Sequence, residues 1–60
     1  MIYLTRYGDY FKNVRINPDN IEYIRNYEGS SVIYFKSGNS IAVEESTYHI
    51  DQKIREQKGG

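Results

Sequence analysis

The sequence predicts an α+β domain: a small antiparallel sheet of four to five strands followed by one C-terminal helix. Three observations carry this. Ser31–Ser46, SVIYFKSGNSIAVEES, reads as two strands folded back across Ser37-Gly38-Asn39 and ending where a helix can start. Thr47, Ile50 and Ile54 then recur at spacings of three and four, the stripe of a helix laid on a sheet. Upstream, Ile, Val, Tyr and Phe supply most of the apolar side chains, and these residues favour strands.

Met1–Tyr7 alternates Ile2, Leu4 and Arg6 with Tyr3, Thr5 and Tyr7, which predicts a strand with one buried and one half-buried face. Gly8-Asp9 signals a turn, and Lys12-Asn13 a loop or bulge before Val14-Arg15-Ile16. Asn17-Pro18-Asp19-Asn20 is the strongest break, because Pro18 fixes its own φ and pushes Asn17 toward an extended conformation. Ile21 and Ile24 are spaced as in a helical turn, Ile21 and Tyr23 as on a strand face. A short turn of helix is therefore expected to run into a strand at Tyr23–Tyr27.

Val32-Ile33-Tyr34-Phe35 is apolar throughout, as in a central strand covered on both faces. Gly38 is the expected positive-φ residue of the hairpin that follows. Ser40–Glu44 alternates, with Ile41 and Val43 inward. Ser46 or Thr47 can cap the helix, and Glu44 and Glu45 just before it favour its positive end. The strands occupy about 1–44 and the helix about 46–57 of a single domain, 1–60, with Gln57–Gly60 expected to fray.

Eight Lys/Arg balance eight Asp/Glu, so no net field draws the chain to nucleic acid or anionic lipid. There is no cysteine, which excludes disulfides and thiolate metal sites and fits a cytoplasmic protein. No apolar run approaches the ~20 residues of a membrane span. The first residues also lack the basic-then-apolar order of a signal peptide. A core this small rarely supplies more than ~3–5 kcal/mol. Without a disulfide or metal, the expected remedy is a homo-oligomer, a dimer by preference.

The sequence offers no catalytic, cofactor-binding or metal-binding residues. His49 is the single histidine, too few for a structural zinc site, and reads as a surface residue of the helix. Glu44 and Glu45 are adjacent on a strand end and point to opposite faces, a poor acid/base pair. No nucleophile elbow or phosphate-binding glycine loop is present, and the chain is not expected to be an enzyme. Arg6-Tyr7-Gly8-Asp9-Tyr10-Phe11 mixes a cation with aromatics as sheet-surface RNA-binding motifs do. Asp9 and the neutral balance weigh against that reading, and a small RNA-binding module stands as a secondary alternative. Tyr3, Tyr7, Tyr10, Tyr23, Tyr27 and Tyr34 exceed what so small a core can hold. They predict an exposed aromatic surface for a protein partner, or a buried one in a homodimer.

Met1-Ile2-x-Leu4-Thr5-Arg6, Asn17-Pro18-Asp19-x-Ile21-Glu22-x-Ile24, Val32-Ile33 before Ser37-Gly38, and Glu45-Ser46 leading into Ile50 and Ile54 form one ordered pattern. In it the chain resembles the FlbD/SwrD family of small bacterial flagellar and swarming-motility proteins, over roughly Met1–Ile54. The resemblance implies a non-enzymatic cytoplasmic accessory factor and supplies no catalytic residues. The hairpin after Thr5-Arg6 and the turn at Asn26–Ser31 are longer than the family's, and partner contacts often lie at such tips. Tyr7, Tyr10, Phe11, Lys12, Tyr27 and Glu28 are accordingly the candidate protein-interaction residues. Proteins this small with this kind of domain also occur in phage and mobile-element genomes as inhibitors of host defence enzymes, and the unusual loops and dense tyrosines of this chain fit such a binder. That stoichiometric role is the alternative to the flagellar one.

Overall fold

A computed structural model describes residues 1–9 and 12–59. The order is β1 (Ile2–Thr5), β2 (Asn13–Ile16), a 3-10 turn (Pro18–Asn20), β3 (Ile21–Tyr27), β4 (Ser30–Phe35), β5 (Ser40–Val43) and α1 (Thr47–Gly59). β1 and β2 form a two-stranded antiparallel sheet, and β3, β4 and β5 a three-stranded one with β4 in the middle. The five strands and terminal helix are those of the expected α+β class.

The two sheets meet where β1 runs out. Arg6 and Val43 form an isolated antiparallel bridge. Tyr7 N–H donates to Ala42 C=O at 3.0 Å, and Glu44 N–H to Thr5 C=O at 2.8 Å. The strands therefore succeed one another as β2, β1, β5, β4, β3.

Local chemistry explains the breaks. Asn17 caps the 3-10 turn by accepting the Asp19 N–H through Oδ1 at 3.0 Å, and Pro18 occupies a first-turn position where no N–H is needed. The helical turn lies at Pro18–Asn20, just ahead of Ile21, and the strand starts at Ile21. A register shift between Ile21 and Tyr23 accounts for the mixed periodicity of that segment. Gly38 takes φ +97°, which closes the β4–β5 turn with Gly38 N–H on Phe35 C=O at 2.9 Å.

The core is one cluster: Ile2, Leu4, Ile16, Ile33, Val43 and Ile50, all buried. Val14, Ile21, Ile24, Phe35, Ile41 and Ile54 pack around it half-buried. Fully burying such an aliphatic side chain contributes ~1.5–3 kcal/mol, so few residues carry the fold. The helix stripe lands as expected, with Ile50 fully buried and Ile54 against the cluster. Ser46 is the cap: its Oγ accepts the His49 N–H at 3.2 Å.

Three expectations change. β4 is covered on one face only, for Ser31 and Ile33 are buried while Val32 and Tyr34 are half-open. The second face of β1 is likewise open, with Tyr3 and Tyr7 exposed. The helix does not stop at 57 but continues to Gly59. Gln57 is held there by Nε2–H donation to Met1 C=O at 2.7 Å.

Candidate functional site

Strand register sorts the side chains onto two faces. Ile24 opposes Ile33, and Ile33 opposes Ile41, on the inner face that the helix covers. On the outer face Tyr23 opposes Tyr34, while Arg25 opposes Val32 and Val32 opposes Ala42. Tyr7, hydrogen-bonded to Ala42, extends that last row onto the segment just beyond the end of β1. No helix lies over this outer face among the described residues, because α1 sits on Ile33, Val43 and Leu4 from the other side.

The outer face is therefore a platform of aromatic rims around small side chains. Tyr23 and Tyr34 stack with ring centroids 4.6 Å apart and planes 16° from parallel. Tyr23 and Tyr27 remain 49% and 45% exposed, so about half of each ring is free to meet something else. Arg25 stands between them. The guanidinium of Arg25, and next the Tyr34 hydroxyl, hold the Tyr27 phenol below its usual pKa through hydrogen bonding. Hydrogen bonding with Tyr27, together with burial, raises that of Tyr34. The three side chains thus form one polar-aromatic unit on rigid strands.

Of the candidates read from sequence, Tyr7 and Tyr27 share this face. β5 and β4 lie between their strands, a separation of roughly 14 Å at the usual strand spacing. Lys12 is exposed at the base of its hairpin, its N–H on Asp9 C=O at 3.1 Å, and Glu28 is exposed in the β3–β4 turn. Both sit off the platform. Tyr10 and Phe11 lie outside the described residues. Arg25, Val32 and Ala42 were not singled out in the sequence, and Tyr23 and Tyr34 were named for an aromatic surface but not among the six interaction candidates. The spacing Tyr23-x-Arg25-x-Tyr27 places Tyr23 and Arg25 on one strand face with the candidate Tyr27 and could have found these two.

Glu44 and Glu45 hold the neighbouring hairpin. The Glu44 carboxylate accepts the Gly8 N–H at 2.8 Å. That of Glu45 accepts the Thr5 N–H through both oxygens, at 2.8 and 2.9 Å. Their work is to fix β1 and its loop rather than to favour the helix start. His49 is exposed, with Nδ1 3.5 Å from Ser46 Oγ. Among the described residues, no three His, Asp or Glu side chains gather as metal ligands would. A shallow depression between Tyr48, Asp51, Gln52 and Arg55 is crossed by the Gln52 Nε2–H donation to Tyr48 Oη at 2.8 Å. No helix among the described residues is long and apolar enough to cross a membrane.

The family model for FlbD, flagellar and swarming motility proteins, matches residues 1–60. No curated protein and no solved structure matches the chain. The match runs through both sheets, the platform and the helix, and on it the chain belongs to the FlbD family of flagellar and swarming motility proteins.

Proposed function

We propose that this protein serves flagellar or swarming motility as a non-enzymatic cytoplasmic factor that works by binding another protein. The outer face of β3–β4–β5 is the binding surface. The observation that carries the reading is the Tyr23–Tyr34 stack with Arg25 and Tyr27 beside it, left open on three hydrogen-bonded strands. Tyrosine and arginine anchor protein interfaces because each buries a large area and keeps a polar tip. Strands hold these side chains in place, so little ordering entropy remains to be lost on binding. Ala42 and Val32 between the rims leave room for an apolar side chain of the partner.

The test is motility. Disrupting the gene in its motile host is expected to reduce swarming on soft agar, and the native gene supplied in trans should restore it. Tyr23→Ser combined with Tyr7→Ser should fold, by circular dichroism, and fail to restore it. Unchanged swarming after disruption removes the motility reading. Full restoration by the double variant removes the platform.

A further inference from the structure

We infer that the free edge of β3 is a self-association site, at which a second copy of this chain adds its own β3 antiparallel about a two-fold axis through Ile24. β3 is the longest strand, and β4 is its single strand partner among the described residues. Among the described residues, no backbone hydrogen bond joins the edge of Tyr23–Tyr27 to β2 or to the helix. The two-residue turn Glu28-Gly29 closes Tyr27 against Ser30. Tyr27, Arg25 and Tyr23 then direct their backbone groups to β4, and Ile24 and Asn26 direct theirs off the edge. Such a row of unpaired groups is a template for another strand.

Side-chain chemistry selects the occupant and the register. Pairing about Ile24 sets Ile24 against Ile24 of the second copy and Tyr23 against its Arg25, twice over by symmetry. Each Tyr23 ring, half exposed beyond its stack on Tyr34, then receives a guanidinium. Glu22 lies at the register shift between Ile21 and Tyr23, outside the regular pairing, and no like charges face each other across Tyr23–Arg25. Pairing about Arg25 instead sets two guanidinium groups face to face, which strand pairs disfavour. Pairing about Tyr23 sets Arg25 against the irregular end of the strand, beyond the register shift between Ile21 and Tyr23. The Ile24 register alone matches cation to aromatic and aliphatic to aliphatic. It also joins two three-stranded sheets into one of six strands, so the outer platforms of the two copies run together. The strand edge is distinct from the outer face, although the Tyr23–Arg25 contacts lie on the rim of that face; mass and register of linking report on the edge whatever the face binds.

The native protein should sediment as a dimer that dissociates on dilution, and Arg25→Glu should raise its dissociation constant about tenfold by removing both cation–π contacts. The chain has no cysteine, so single substitutions report register directly. Among Tyr23→Cys, Ile24→Cys, Arg25→Cys and Asn26→Cys, mild oxidation should link the Ile24→Cys variant fastest. A monomer mass for the native protein from micromolar to millimolar concentration overturns the proposal. So does preferential linking through Tyr23→Cys, Arg25→Cys or Asn26→Cys.

Discussion

Glu45 offers the most direct test of how the two sheets are held together. Its carboxylate takes the Thr5 N–H at 2.8 and 2.9 Å, next to the Arg6–Val43 bridge that joins β1 to the larger sheet. Glu45→Ala removes a charge-assisted hydrogen bond, ordinarily ~1.5–3 kcal/mol, and leaves a part-buried N–H without an acceptor. A loss of about 2 kcal/mol is expected, which in a domain of this length lowers Tm by about 10 °C. Glu45→Gln keeps one oxygen in place and should recover about half of that loss. Urea denaturation followed by circular dichroism gives the stabilities, and amide exchange at Thr5 gives the local opening. If Glu45→Ala lies within ~0.5 kcal/mol of the native protein, or Glu45→Gln is equally damaging, the carboxylate is not what secures β1.

Ile33 is fully buried at the centre of β4. Ile33→Ala should cost ~2–5 kcal/mol, close to all that a core of this size supplies, and leave a largely unfolded chain by circular dichroism. Ser31 is fully buried as well, its Oγ 3.4 Å from Thr47 Oγ1, which in turn donates to Asn26 Oδ1 at 3.4 Å. These contacts are long, so Ser31→Ala should change stability by less than ~1 kcal/mol, whereas Ser31→Val should cost ~1–3 kcal/mol by overpacking beneath the helix. Arg25 holds the Tyr27 phenol low, so in an alkaline titration followed by tyrosine-ring NMR Tyr27 should ionise before Tyr34. Arg25→Gln should move Tyr27 upward; no change would mean that the guanidinium does not act on that hydroxyl.

Where one periodicity dominated, the sequence was sufficient. The Thr47–Ile50–Ile54 stripe, Gly38 at positive φ and the alternation through Ile41 and Val43 all appear in the structure as read. Where tertiary partners decide, it was not. Four apolar residues in a row at Val32–Phe35 looked like a strand buried on both sides. In fact the second side is roofed only by the Tyr23–Tyr34 stack, and a tyrosine counts as apolar whether it is covered or acts as the cover. Glu44 and Glu45 sit where helix-start acids belong, and local sequence carries no sign that they reach back to Gly8 and Thr5. The candidate residues were chosen at loop tips. Of those described, Tyr7 and Tyr27 share the face on which the tyrosines converge, because strand register, not loop length, assembled it.

The bonds from the far end of the chain to β1 bear on the order of events during synthesis. Thr5, Tyr3 and Met1 are completed by Glu45, by Lys53 through its 2.8 Å donation to Tyr3 C=O, and by Gln57. The β1–β2 hairpin emerges before β3–β5, yet its edge is closed only once residues 42–57 have left the ribosome. A lone two-stranded hairpin is marginal in water, so Ile2, Leu4 and Ile16 wait uncovered while β3–β4–β5, whose contacts are local, can already form. Damage to the helix should thus surface as protease sensitivity in residues 1–16, far from the lesion in sequence and adjacent to it in space.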